Sequence, residues 1–366
     1  MKRKWFRLTI AIAVALVLVV PASGCERVER IHRYTFGSTS ATSPHYTAAV
    51  VLANIINREN PDIKINVVES GATHDNLVKT QTGELHGGFA TNWDGMAMAY
   101  NGTTMNEYIS YGEWPELRIL PGYLHTYVYV VVVENEQGEE NGEGGDGEPI
   151  ETLYDLHGKK FSAGIAGSVT ELNIRRQFDA LGIEPEWVSA SYADIIEMAR
   201  SGEIVGFARG SADGKLDSSM LDLHAEVGIK ILGWPEEDLG TVLVATPGTS
   251  ATWIPQDAIA ELLMPGFYTL GHTTGAFVTT AIPQAVVYRM VKTYVDNWGE
   301  LASAWPAAGN WTPLETDLAL LGEITARVDM PPLHAGVVQL MVEKGYEVPP
   351  ALIGPEYDEN ENNNSD

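Results

Sequence analysis

Again and again this chain runs from a short apolar stretch into a loop of small or polar residues, and from there into a helix. Tyr34–Gly37 leads into Ser38–Pro44 and then a helix over Tyr46–Asn57. Ile63–Val68, with Ile63, Ile65 and Val67 alternating, leads into Glu69–His74 and a helix over Asp75–Thr82 that Gly83 stops. Gly88–Thr91 passes through Asn92-Trp93-Asp94 into a helix ending near Tyr100. The pattern then returns. Lys160–Ala163, the loop Gly164–Thr170 and a helix over Glu171–Leu181 follow one another. A helix over Ala193–Arg200 precedes a strand over Ile204–Ala208, which opens into Arg209-Gly210-Ser211. Such alternation specifies an α/β sheet. Tyr127–Val133 is β-branched and aromatic throughout, as a strand covered on both faces should be. Ala276–Thr279 reads as a further strand, and Gln284–Trp298 as a long helix.

The chain has 366 residues, more than one ordinary core takes, so two lobes are expected. Between the two α/β runs, Glu134–Glu151 holds eight acids and five glycines and reads as a solvated insertion. It lacks the Asp/Asn spacing of a calcium loop. Glu356–Asp366 is acidic and Asn-rich and reads as a frayed tail. The net charge of −26 argues against nucleic acid, whose phosphates require Lys and Arg. It also means that an anionic ligand needs local help from helix dipoles or a placed Arg. There is no P-loop, no nucleophile elbow and no dinucleotide fingerprint. The nine His residues show no zinc-ligand spacing, so no metal or cofactor is expected.

Lys2, Arg3, Lys4 and Arg7 precede an apolar run from Leu8 to Val20, and Pro21-Ala22-Ser23-Gly24-Cys25 follows. The run is too short to span a bilayer, which takes about 20 helical residues, and reads as a secretory signal. Ser23-Gly24 before the single cysteine resembles a bacterial lipobox, although Ala22 stands where Leu is usual. Residues 1–24 are then a signal peptide, Cys25 is the lipidated first residue of an extracytoplasmic protein, and 25–30 is a spacer. An ordinary secreted protein with a leftover thiol is the alternative.

Several stretches together resemble the TAXI-type solute receptors of TRAP transporters. They are Ser70-Gly71-Ala72-Thr73-His74-Asp75-Asn76-Leu77, Gly83-Glu84-Leu85, Asn92-Trp93-Asp94 and Ala99-Tyr100-Asn101-Gly102. Leu117-Arg118-Ile119-Leu120, Gly164–Arg176 and Pro332-Leu333-His334-Ala335-Gly336 extend the likeness to most of the chain. The resemblance implies a two-lobed type II periplasmic-binding-protein fold with two crossing hinge strands, near Tyr127–Val133 and Thr273–Thr280. Lobe 1 would comprise 31–129 and 276–366, and lobe 2 would comprise 130–275. It also implies a monomeric binding protein, not an enzyme. That protein captures a small carboxylate or amino acid, glutamate-like, for a membrane permease. A receptor of an ABC importer and the ligand-sensing partner of a receptor kinase are the alternatives.

Ligands of open α/β sheets bind at strand carboxyl ends, where helix N-termini offer N–H groups and a positive dipole end. The loops there supply the candidates. Ser38, Thr39 and Ser43 offer hydroxyls, although Ser and Thr also cap helices. Thr73 is similar, Asn92 offers an amide, and Asp94 suits an ammonium group or a cap. Trp93 and Tyr46 are candidate walls. Ser168 and Thr170 lie in the most specifically matched loop. Arg209 stands where the family has an apolar residue, and its planar guanidinium could grip a carboxylate. His74 and His334 read as structural.

Overall fold

The computed structural model describes residues 31–134 and 149–358, apart from positions 40, 42, 103, 107, 108, 111, 166, 167, 213, 257 and 263. The signal segment, Cys25, most of the acidic insertion and the last eight residues lie outside the described residues.

The first α/β run gives β1 (His32–Gly37), α1 (Pro44–Glu59), β2 (Ile63–Val68), α2 (Thr73–Gln81), β3 (Gly87–Asn92) and α3 (Trp93–Tyr100). A small ribbon, β4 (Thr104–Asn106) and β5 (Ile109–Ser110), leads to the long strand β6 (Leu117–Val133). The second run gives β7 (Lys160–Ser162), α4 (Val169–Ala180), β8 (Glu186–Trp187), α5 (Tyr192–Ser201), β9 (Gly206–Ser211), α6 (Ser218–Val227) and β10 (Ile229–Leu232). Then come α7 (Leu239–Ala245), β11 (Thr249–Ile254) and the second long strand β12 (Phe267–Thr279). The C-terminal part is helical: α8 (Gln284–Asp296), α9 (Trp298–Ala304), α10 (Glu315–Thr325) and α11 (Ala335–Glu343).

Two strands make two lobes out of one hydrogen-bonded sheet. The first half of β6 (Leu117–His125) pairs antiparallel with the second half of β12 (Thr273–Thr279). β12 in turn pairs with β3, and β1 and β2 continue that sheet in parallel. Beyond Thr126 the partners of β6 change: Tyr127–Val132 pairs with β9 and Val130–Val133 with β10. The first half of β12 correspondingly pairs with β11. Partners therefore change at Thr126 on one strand and between His272 and Thr273 on the other. This is a few residues before the lobe limits expected from sequence, and β6 begins ahead of the expected crossing strand. Pro121 and Gly122 obscured that beginning, because Pro within a strand normally signals an edge or a bulge. The register between β6 and β12 does shift there.

Both lobes have covered sheets. Along β6, Val128, Val130 and Val132 join one cluster with Phe161 and Phe178, while Tyr129 and Val131 join another with Phe207 and Met220. Alternate residues thus bury on opposite faces, so the segment reads as one unbroken apolar run. In the other lobe, Phe36, Leu52, Ile56, Phe89 and Phe277 share a core with the C-terminal residues Val287, Val338 and Met341. The expected frayed tail starts too early. Glu356 forms a two-pronged ion pair with the buried Arg118, at 2.6 and 2.7 Å, and ties the chain end to β6. Among the described residues, no helix is long and apolar enough to cross a membrane.

Candidate ligand-binding cleft

A cleft of about 300 Å³ opens where the two long strands change partners. One side is lined by Thr39 after β1, His45 in α1, Gly71–His74 entering α2, and Ala90, Asn92 and Thr274. Ser168, Val169 and Thr170 at the start of α4 line the other side. Thr126 and His272, from the partner-change points, complete the lining. Three helices aim their first turns here, so three positive dipole ends converge. No Asp, Glu, Lys or Arg is among the lining residues.

A hydrogen-bonded scaffold fixes the first wall. Asn76 Nδ2 donates to the carbonyls of Ser38 (2.9 Å) and Phe89 (2.8 Å), tying two strand-end loops together. Ser70 Oγ donates to the same Ser38 carbonyl at 2.8 Å. Asn76 packs so closely on Gly37 and Gly88 that a Cβ at either position would collide with it. Thr73 Oγ1 donates to Asn92 Oδ1 at 2.7 Å, and Asn92 Nδ2 donates to Thr274 Oγ1 at 3.2 Å. Ala72 and Ala90 both line the cleft with positive φ, 65° and 51°. Such backbone strain persists only where surrounding contacts enforce it. At Ala90, Tyr123 Oη receives the amide hydrogen bond at 2.7 Å.

Of the residues expected from sequence, Thr39, Thr73, Asn92, Ser168 and Thr170 line this cleft. The others do not. Ser43 caps α1, accepting the His45 amide at 3.2 Å, and Ser168 caps α4 in the same way through Glu171. Ser38 is wholly buried behind the wall and Tyr46 is half-buried outside the lining. Trp93 is core, packed edge-on against Trp311. Asp94 is buried and receives the Gly248 amide at 3.3 Å; burial raises its carboxyl above the usual range.

Arg209 is turned away from the cleft. Its Nε donates to Asp217 at 2.8 Å, and its guanidinium lies 3.8 Å from the centre of the Tyr192 ring. Asp217 also caps α6 and accepts from Tyr192 Oη at 2.9 Å. Neighbours on a strand face opposite ways, and it is Gly210 that faces Thr126 and Thr170.

Histidines are what sequence reasoning missed. His45, His74 and His272 line the cleft, and His125 sits beside it on β6. Burial holds all four imidazoles neutral, lowering His45, His74 and His125 to about 4 and His272 to about 3. The signal was available for two of them: His45 and His74 each come directly after an expected strand-end loop or close that loop. His334, expected to be structural, bonds the Ile282 carbonyl and caps α11.

Comparison with known proteins places this geometry. A Xanthomonas citri protein solved with bound ATP shares the fold, with a TM-score of 0.50 and 13% identity over 81% of this chain and 96% of that one. The aliphatic sulphonate binding protein SsuA of Escherichia coli follows with a TM-score of 0.42 and 14% identity, over 86% and 92% of the chains. A TRAP periplasmic solute binding protein of Ochrobactrum anthropi gives a TM-score of 0.42 and 12% identity, over 81% and 82%. No curated protein matches in sequence. The fold is the two-lobed, type II periplasmic-binding-protein architecture. The NMT1-like family model matches residues 36–345, nearly all of the described chain, and the protein therefore belongs to the NMT1-like family.

Proposed function

We propose that this protein is an extracytoplasmic solute receptor, anchored by lipid at Cys25, that captures a small carboxylate or amino acid and delivers it to a TRAP-type permease. The carrying observation is the cleft itself: two lobes, joined by two strands, face each other across converging helix N-termini and hydroxyl groups. Its volume of about 300 Å³ suits a metabolite of glutamate size, at the small end of the range for ligand sites. Thr39, Thr73, Ser168 and Thr170 are the ligand's hydroxyl partners in this reading, with Asn92 holding Thr73 in place. The work is binding and closure rather than catalysis. The lobes, taken as 31–129 with 276–366 and as 130–275, move about Thr126 and His272.

The resemblance of the Gly164–Arg176 stretch to TAXI-type receptors supports the choice of transporter. The test has two parts. Mass spectrometry of solute released from gently purified protein, with calorimetry on L-glutamate, L-glutamine and small dicarboxylates, should identify an organic anion that binds tightly. Uptake of that solute by cells should collapse with the sodium gradient. Uptake that instead follows ATP would replace the TRAP assignment, and enzymatic turnover of the bound solute would overturn the receptor reading.

A further inference from the structure

The cleft carries a feature that hydroxyls and dipoles do not account for. His272 lies on β12 at the partner-change point, is only 6% exposed, and lines the cleft; its Nδ1 has no hydrogen-bond partner among the described residues. Two further imidazoles repeat the situation close by. His45 Nδ1 and His125 Nε2 are also buried without hydrogen-bond partners among the described residues. His125 bonds Thr273 Oγ1 through its other nitrogen at 3.3 Å, and His45 is flanked edge-on by Trp305. Buried polar atoms are normally satisfied, and clustered exceptions call for a functional explanation.

We propose that His272, with His45 and His125 beside it, forms the subsite for the ligand's anionic head group, and that the anion enters together with one proton taken from solvent. This deepens the receptor reading and rests on it. Charge balance underlies this assignment. In the ligand-free cleft a protonated imidazole would be buried, opposed by three helix N-termini and by its neighbouring histidines. All three rings are accordingly held neutral, His272 furthest down, by burial and then by His125 and His45. A carboxylate or sulfonate beside the ring adds an attraction that offsets that penalty. Helix ends and an imidazolium would both attract it, and no Lys or Arg is among the described lining residues to do so instead.

The surrounding elements leave that role open. Opposite His272 on β11 stands the neutral Thr249. The nearest cation beyond it, Arg327, donates to the Thr249 carbonyl and is paired with Glu323. On α3, Asp94 is occupied by the Gly248 amide and is influenced by Arg176 on α4. Glu171 on α4 is held by Arg175 and Ser189. On α2, His74 is also held neutral, with Arg176 adding to the effect of burial. From β6 comes Tyr123, whose hydroxyl is engaged by Ala90, while β3 contributes only Ala90 and Asn92.

The test uses the full chain and three small probes: acetate, methanesulfonate and the uncharged acetamide. Affinities are taken from thermal-shift titrations at constant ionic strength. Between about pH 7.5 and about pH 5.5 the affinity for acetate and methanesulfonate should rise, by up to about tenfold per pH unit if one full proton is taken up. Acetamide should show no such rise. His272→Gln keeps a hydrogen-bonding amide but cannot hold the proton, and should flatten the profile. His45→Gln should weaken it and serves if the first variant fails to fold. Histidine ring carbon shifts in the wild type should also report an imidazolium when acetate is added. Equal anion affinities at both pH values, absence of anion binding, or neutral rings throughout would overturn the proposal. Failure of the receptor reading looks different. The acetate response would persist while no solute drives lobe closure or uptake.

Discussion

Thr73 and Asn92 hold each other across two strand-end loops. The Thr73 hydroxyl donates to Asn92 Oδ1 at 2.7 Å, and the Asn92 backbone N–H donates back to Thr73 Oγ1 at 3.1 Å. Both residues are buried, so each end of this exchange is sheltered from water. Thr73→Val keeps the shape and leaves the Asn92 oxygen without its hydroxyl donor. It should destabilise the ligand-free protein by about 1–3 kcal/mol, the usual cost of a buried group left unpaired. Denaturant unfolding measures that loss, and calorimetry with the identified solute should show weaker binding. A variant as stable as the wild type would mean that the loop end rearranges freely.

Gly248 and Asp94 touch across the two lobes. A Cβ at Gly248 would collide with the Asp94 backbone, and the Gly248 amide donates to the Asp94 carboxylate. Arg327 reaches across nearby to the Thr249 carbonyl at 2.7 Å. Gly248→Ala should therefore wedge the lobes apart. Small-angle scattering should give a larger radius of gyration than the wild type, with solute affinity reduced by about tenfold or more, the equivalent of ~1.4 kcal/mol. An unchanged scattering curve with unchanged affinity would show that this contact does not limit closure.

Arg209 should matter for stability and not for ligand. Its pair with Asp217 is partly exposed, with side chains 26% and 33% accessible, so the ion pair contributes at most about 1 kcal/mol. Stacking on Tyr192 adds roughly 0.5–1 kcal/mol. Arg209→Ala should lower unfolding stability by about 1–2 kcal/mol in total, and Arg209→Lys should restore part of it. Solute affinity should be unchanged in both. A tenfold loss of affinity without a stability change would put the guanidinium back in the cleft.

Acid should destabilise the ligand-free protein. His45, His74, His125, His272 and His334 have folded values of about 3 to 4, against 6.5 for an unperturbed imidazole. The stabilising effect of keeping them neutral is fully present above 6.5 and is lost as pH falls towards about 4. Asp317 and Asp94 work the other way. Burial raises both carboxyls, Asp317 to about 7, so their contribution falls as pH rises. With five histidines against these two, the melting temperature should drop on going from pH 6.5 to pH 4.5. His272→Gln should shorten the drop. A flat profile would mean that these rings are charged in the fold.

The proposed lipid anchor at Cys25 rests on sequence alone. Cys25→Ala should shift the protein from the membrane fraction to the soluble fraction, and intact-mass measurement of the wild type should show an N-terminal lipid. Identical partitioning of the two, without lipid mass, would leave an ordinary secreted protein.

The parts of this fold that depend on short-range pattern were legible. Period and loop chemistry placed β2 over Ile63–Val68 and brought the other early elements within a few residues of their observed limits. The loops that wall the cleft could be named for the same reason, since strand ends in α/β sheets converge. Facing was harder to read. Arg209 and Gly210 differ by one position, and a strand sends them to opposite faces, so the loop's position alone does not say which side chain turns towards the cleft. Asn76 was hidden for another reason. Its partners are the Ser38 and Phe89 carbonyls, and no residue type announces a backbone acceptor. The Arg118–Glu356 pair, the helices after Trp298 and the histidine cluster all join distant stretches of chain, which pattern within a window cannot see.

The two shared strands also dictate the order in which the molecule can be completed. The core that receives Phe36 and Phe89 from the start of the chain also takes Val287, Val338 and Met341 from near its end. The second lobe, by contrast, is built from one continuous stretch between β6 and β12. During synthesis the inner lobe has all its partners once the first half of β12 is made, while the outer lobe still lacks the second half of β12, α8 and α11. Its first strands must wait for contacts more than two hundred residues away, the kind of long-range closure that makes folding slow. A chain truncated before α11 would keep a whole inner lobe and leave the outer one without its last layer.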